Sequence, residues 1–102
     1  MGKDEIIAKL RAREAELKGA GVATLSVVGS FARGDNRDDS DVDVLIRLTE
    51  EARQGGFAYF GRLDRLSRQL SDILGHRVDV ITEPVENERL RRHLEKGRIL
   101  AF

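Results

Sequence analysis

Apolar residues recur at helical spacing in three stretches of the chain, and each stretch predicts an amphipathic helix. The predicted helices span residues 4–18, 57–74 and 85–96, and a glycine follows each of them, as is usual at helix ends. Asp4 is a candidate N-cap of the first helix. The middle helix carries the clearest stripe of residues predicted to be buried, namely Phe60, Leu63, Leu66, Leu70, Ile73 and Leu74.

Short apolar runs bounded by turn residues predict three β-strands, over residues 23–28, 42–48 and 78–81. A brief connection with a short helix at 30–33 joins the first two strands, which favours antiparallel pairing. The connection between the second and third strands contains the whole middle helix, and is long enough for a parallel crossover. The tail, residues 98–102, is predicted to form either a short edge strand or coil.

These elements together predict an α/β (α+β) fold, a small mixed β-sheet of three to four strands with flanking helices. The chain has 102 residues, close to the common size of one domain. No linker, internal repeat or low-complexity segment interrupts it. We therefore expect a single domain over residues 1–102.

The composition excludes several classes of protein. Basic and acidic residues are balanced, with 18 of each, so no global field attracts nucleic acid or a membrane surface. Cysteine is absent, which excludes a disulfide scaffold and is compatible with the cytoplasm. No apolar run approaches the roughly 20 residues that cross a bilayer. We expect a cytoplasmic protein that has no direct nucleic-acid partner and no membrane partner.

Three aspartates interrupt or adjoin the apolar strands. Asp41 and Asp43 are two residues apart at the start of the second strand, and such residues point to the same face. Asp79 interrupts the third strand and faces the pair if the two strands are in register. Each aspartate alone is more often an exposed residue than a ligand. Together they predict a Mg²⁺ site, because clustered carboxylates require a cation to neutralise them.

The Gly29-Ser30 turn, which ends the first strand, is a candidate phosphate cradle. Glycine lets the backbone approach an oxyanion, and the Ser30 hydroxyl can donate a hydrogen bond to it. The alternative is an ordinary strand-to-helix turn with a serine N-cap. Arg33, one helical turn later, is placed to reach the same phosphates, and Arg37 is a weaker candidate; the alternative for both is a solvated surface arginine.

The two histidines are outside these motifs. His76 is in the turn between the middle helix and the third strand, and His93 is on a polar face of the last helix. Neither has a partner at metal-ligand spacing. We expect both to be surface residues.

These motifs resemble those of the minimal nucleotidyltransferases, small members of the DNA polymerase beta-like nucleotidyltransferase superfamily. The resemblance rests on the segments 29–34 (Gly-Ser-Phe-Ala-Arg-Gly), 40–43 (Ser-Asp-Val-Asp) and 78–80 (Val-Asp-Val), and it covers essentially the whole chain. It implies a polymerase beta-like mixed sheet with a site for ATP and Mg²⁺. With two ions bound, Asp41 and Asp43 would bridge both, and Asp79 would bind one and accept the proton of the nucleophile.

The resemblance also implies a function and a partner. Family members of this size are commonly antitoxins paired with a HEPN-domain ribonuclease toxin, and some adenylylate a tyrosine of that toxin. We therefore expect a Mg²⁺-dependent adenylyltransferase that acts as an antitoxin and forms a hetero-oligomer with its toxin. Larger relatives hold antibiotics or nucleic acid with an extra domain, and its absence from this sequence favours a protein acceptor. Two alternatives stay open: a non-catalytic antitoxin that binds stoichiometrically, and nucleotidyl transfer to a small molecule.

Overall fold

The computed structural model of the protein describes all of residues 1–102 and contains five helices and four strands. In chain order the elements are α1 (Lys3–Ala12), α2 (Glu14–Gly19), β1 (Val22–Val28), α3 (Gly29–Arg33), β2 (Val42–Leu48), α4 (Phe57–Leu74), β3 (Val78–Thr82), α5 (Glu88–Glu95) and β4 (Ile99–Leu100). The predicted fold class is confirmed.

The four strands form one mixed sheet in the order β3-β2-β1-β4. β1 pairs antiparallel with β2 and with β4, whereas β2 and β3 are parallel. The tail therefore contributes an edge strand, the first of its two predicted alternatives. The register places Asp43 directly beside Asp79, and Val28 of β1 opposite Asp43.

Both faces of β2 are covered, which explains its nearly continuous apolar sequence. On one face, Val42, Val44 and Ile46 belong to the main core, together with buried side chains of α1 and α4. On the other face, Leu45 packs with Val28 and with Leu94 of α5 in a smaller cluster. Since side chains alternate along a strand, Asp43 lies on this second face, at the end of the sheet where β2 begins.

Two predicted helix starts are wrong. Asp4 does not cap α1, whose N-cap is Gly2; Asp4 lies in the first turn, where its charge favours the positive end of the helix dipole. The last helix begins at Glu88 and not at residue 85, because the Asn87 side chain accepts a hydrogen bond from the Leu90 N–H at 3.0 Å and so caps the helix there.

The predicted first helix is also broken in two at Arg13, whose φ of −112° and ψ of 17° leave the helical range. The Arg13 N–H bonds to the carbonyl of Leu10, three residues back, which tightens the chain at the end of α1.

Phe60 was predicted to be buried on α4, and this is wrong, because its side chain is 68% exposed. Leu66, Leu70 and Leu74 are buried as predicted, and Leu63 and Ile73 are partly buried. Tyr59, which is about 100° around the helix from Phe60, packs against the core instead. The Tyr59 hydroxyl lies 3.4 Å from Thr82 Oγ1.

None of the helices has both the length and the apolar character that would let it span a lipid bilayer.

The buried side of α4 is expected to dominate stability. Leu70 is fully buried in the main core, so Leu70→Ala should lower the free energy of unfolding by about 2–5 kcal/mol. Leu90 is 42% exposed, so the matched control Leu90→Ala should cost less than about 1 kcal/mol. Urea denaturation of both variants measures the difference, and equal losses would contradict this description of the core.

Candidate active site

The predicted site residues lie at one end of the sheet, where β1 stops and β2 and β3 start. Asp43 and Asp79 are each the second residue of their strands and are side by side in the parallel register. Asp41 directly precedes β2, and Gly29 directly follows β1. Three segments distant in the sequence are thus gathered by strand pairing alone.

The electrostatics of Asp43 show that these groups act on one another. Burial raises the pKa of the Asp43 carboxyl above its ordinary value of 3.8, and the carboxylates of Asp79 and then Asp41 raise it further. The guanidinium of Arg33 acts in the opposite direction and lowers this pKa. Negative charge at this end of the sheet is therefore only partly neutralised by the protein itself.

Gly29 is a position where a side chain would collide with Asp43. Its φ is +73°, and a Cβ there would overlap Asp43 Oδ2 and lie 3.1 Å from the Asp43 Cγ. The lack of a side chain lets the carboxylate of Asp43 rest against the turn that starts α3. A glycine predicted from phosphate chemistry is thus also required by the packing of the neighbouring aspartate.

Ser30 lies within α3, whose N-cap is Val28, so Ser30 is not an N-cap as the alternative interpretation supposed. Its side chain is half-buried, and its carbonyl accepts the N–H groups of Gly34 and Asp35.

The two candidate arginines differ in their surroundings. Arg33 Nε lies 3.3 Å from Asp35 Oδ2, and its aliphatic part is close enough to Gly97 that a Cβ there would be 3.1 Å from Arg33 Cγ. It is thus held between the loop after α3 and the chain after α5. Arg37 is exposed, and only its backbone N–H is bonded, to Ser40 Oγ at 2.8 Å. The structure ties Arg33, and not Arg37, to the acidic positions.

The carboxylates suit a hard cation in chemistry and charge. All the donors are oxygens, and Asp43 stays incompletely neutralised, which is the condition that Mg²⁺ binding relieves. No group of three histidine, cysteine, aspartate or glutamate side chains is close enough to hold a metal ion as the side chains stand. Asp41 points toward Arg77, with Oδ1 3.6 Å from Nε. Strand pairing therefore brings the aspartates to the same end of the sheet, but their side chains do not surround a common metal position.

His76 is the residue that the sequence pattern misplaced. It was expected at the surface, but its ring is half-buried: Nε2 lies 2.6 Å from the Ser40 carbonyl oxygen, and the ring meets Phe31 edge-on. The only signal in the sequence is its position three residues before Asp79. His93 is exposed, as predicted.

Residues 6–101, which include all of these positions, match the model of the nucleotidyltransferase domain family. The chain belongs to that family. It is 35% identical over 79 residues to the protein adenylyltransferase MntA of Thermococcus cleftensis, a match that covers 76% of this chain and 74% of the relative.

Solved structures agree with this assignment. A structure described as a candidate minimal nucleotidyltransferase superposes with a TM-score of 0.75 at 30% identity, covering 97% of this chain and 95% of the other. A toxin–antitoxin structure with AMP-PNP shares the fold at 15% identity, with a TM-score of 0.64 and coverage of 90% and 72%. The resemblance inferred from the motifs is confirmed, and the protein is a nucleotidyltransferase.

Alanine substitutions at two glycines, Gly29 and Gly34, can separate the contact with Asp43 from the effect of backbone strain. Gly34 also has a positive φ, +81°, but a Cβ there would meet nothing within 4 Å. Gly29→Ala and Gly34→Ala should each lose about 1–2 kcal/mol of stability from the left-handed backbone. ATP with Mg²⁺ is expected to raise the melting temperature of the native protein, and only Gly29→Ala should also lose that rise. Thermal-shift titration checks this, and equal ligand responses of the two variants would refute it.

The raised pKa of Asp43 predicts a pH-dependent cost in the metal-free protein. The folded state binds this proton more tightly than the unfolded chain, so stability falls as the pH rises from about 3.8 through the raised value. Asp43→Asn should therefore unfold at a higher temperature than the native protein at neutral pH. The gain should shrink as the pH falls toward the ordinary value of 3.8. Melting curves across this range test it, and a gain independent of pH would argue against an electrostatic cause.

Proposed function

We propose that this nucleotidyltransferase is a Mg²⁺-dependent protein adenylyltransferase that acts as an antitoxin. It transfers AMP from ATP to a hydroxyl group of a partner toxin and so neutralises that toxin. The observation that carries the proposal is the in-register pairing of Asp43 with Asp79, next to Asp41 and against the side-chain-free turn at Gly29. This arrangement offers clustered oxygen donors beside a place where a phosphate chain can approach the backbone.

In this proposal each named residue has a distinct role. Asp41 and Asp43 hold the metal, which supplies charge neutralisation at the triphosphate when bound, with two ions expected. Asp79 contributes to the same site, and its exposed carboxylate accepts the proton of the attacking hydroxyl. The hydroxyl oxygen forms a bond to the α-phosphorus of ATP, the bond to the bridging oxygen breaks, and pyrophosphate leaves.

The triphosphate is assigned to the other side of the site. Gly29 lets the chain approach closely, the Ser30 hydroxyl donates a hydrogen bond, and the Arg33 guanidinium supplies positive charge for the leaving pyrophosphate. Arg33 already acts electrostatically on Asp43, so it is close to where the metal and the phosphates would meet. Because this chemistry depends mainly on position and charge, a small domain is sufficient for it.

Two comparisons support the choice of acceptor. The relative from Thermococcus cleftensis is named a protein adenylyltransferase, and a protein of the same fold was crystallised as a toxin–antitoxin with AMP-PNP. The motif resemblance points to a HEPN-domain toxin and to a tyrosine as the modified residue. We therefore propose a hetero-oligomer of this chain with such a toxin.

Incubation with α-labelled ATP, Mg²⁺ and a candidate HEPN-domain toxin tests the proposal. Label should pass to the toxin, and Asp79→Asn should slow the transfer by about 10²–10⁴-fold through loss of the proton acceptor. Asp41→Asn combined with Asp43→Asn should abolish it. Asp39→Asn is the matched control, since Asp39 is an exposed acidic residue of the loop before β2 and should leave transfer unchanged.

The amount of protein needed distinguishes catalysis from simple binding. Substoichiometric protein should neutralise an excess of toxin if the reaction turns over. Protection only at a one-to-one ratio, unaffected by the Asp41 and Asp43 substitutions, would indicate a stoichiometric antitoxin. Label that appears on a small molecule and never on the toxin would indicate a different acceptor.

A further inference from the structure

His76 contacts two of the three segments that carry the site and lies two residues before the third. Its Nε2 lies 2.6 Å from the carbonyl oxygen of Ser40, the residue before Asp41. Since a carbonyl oxygen only accepts, that nitrogen carries the hydrogen. The ring also packs edge-on against Phe31 of α3, with centroids 5.5 Å apart and planes at 79°. Asp79 follows His76 by three residues.

Arg77, the next residue, contacts Asp41 and Val42, the two residues after Ser40. The Arg77 carbonyl accepts the N–H of Val42 at 2.9 Å, and Arg77 Nε lies 3.6 Å from Asp41 Oδ1. Any residue at position 77 would make the backbone bond, and the Arg77 side chain is 88% exposed, so its ion pair is weak. The contact with Ser40 depends on the His76 side chain specifically.

Apart from His76, the hydrogen bonds of Ser40 stay within its own loop, where its N–H bonds to the Arg37 carbonyl at 3.0 Å and its Oγ accepts the Arg37 N–H at 2.8 Å. Asp41 precedes the first residue of β2, and the chain between α3 and β2 contains no helix or strand. The ladder of the sheet therefore begins one residue after the aspartate whose position matters. A side chain that holds the Ser40 carbonyl therefore also restricts the position of Asp41, the next residue.

We propose that His76 is a positioning residue for nucleotidyl transfer. Its hydrogen bond to Ser40 fixes Asp41 beside Asp43, and its contact with Phe31 sets these carboxylates relative to the Gly29-Ser30 turn. His76 does not touch the substrate. The inference rests on the proposed function in one respect, because it takes Asp41 and Asp43 as metal ligands.

Three substitutions separate the two contacts of His76. His76→Phe keeps a ring against Phe31 and removes the N–H donor. His76→Asn keeps an N–H but is too short to reach the Ser40 carbonyl. His76→Gln places an N–H near the original Nε2. His93→Phe, at the exposed histidine of α5, is the matched control.

Mn²⁺ binding in the presence of a non-hydrolysable ATP analogue provides the main measurement, with amide exchange over residues 35–42 and the melting temperature alongside. His76→Phe and His76→Asn should bind the metal about tenfold more weakly, as is typical when a residue that orients metal ligands is lost. Both should also exchange faster over residues 35–42. His76→Gln should retain most of the native affinity, and His93→Phe should equal the native protein. If His76→Phe does not fold, the contrast between Asn and Gln decides the result.

Native affinity in His76→Phe and His76→Asn would overturn the inference, and so would a loss in all three His76 variants that merely follows their melting temperatures. The same measurement separates this failure from that of the proposed function. If the native protein binds no Mn²⁺, the assignment of the carboxylates fails, and this inference fails with it. If the native protein binds Mn²⁺ and labels the toxin while the variants behave identically, only the role of His76 is refuted.

Discussion

The parallel pairing of β2 with β3 is the constraint on which the site depends, because it sets two carboxylates side by side on one face of the sheet. The register that aligns Val42 with Val78 and Val44 with Val80 on the core face necessarily aligns Asp43 with Asp79 on the other. A slip of β3 by one residue would turn Asp79 toward the core, where an unpaired carboxylate is strongly disfavoured. The hydrophobic core therefore enforces the position of the charges.

Placing these carboxylates together lowers the stability of the fold, as the raised pKa of Asp43 indicates. Other parts of the fold offset this loss. Apolar clusters on both faces of β2 stabilise the strand, and the glycine at position 29 removes the one side chain that would collide with the Asp43 carboxylate. Repulsion between unneutralised carboxylates is the counterpart of affinity for a cation, so the proposed metal site is electrostatically strained without a bound cation. Stability and function oppose one another at this end of the sheet.

Elements with strong periodicity were predicted closely, and those set by side-chain capping or local geometry were not. The bounds of α4 and β2 agree with the prediction because apolar patterns identify both elements and glycines flank α4. The break at Arg13 and the late start of α5 depend on single backbone conformations and on one cap, which periodicity does not report. On α4, Tyr59 lies four residues before Leu63 and seven before Leu66, so it shares their buried face, and its hydroxyl reaches Thr82.

By itself the sequence determined the class of chemistry, because three aspartates at strand starts and a glycine at a strand end are visible as residue types and spacings. It also predicted the parallel orientation of β2 and β3, since a whole helix lies between them, whereas their register came from the structure. The tertiary structure alone decided that Gly29 adjoins Asp43, that Asp41 faces Arg77, and that His76 holds Ser40. These contacts join positions from 14 to 36 residues apart, with 36 residues separating both Asp41 from Arg77 and Ser40 from His76. A local pattern carries no information about which distant side chain completes a hydrogen bond or fills the space beside a glycine.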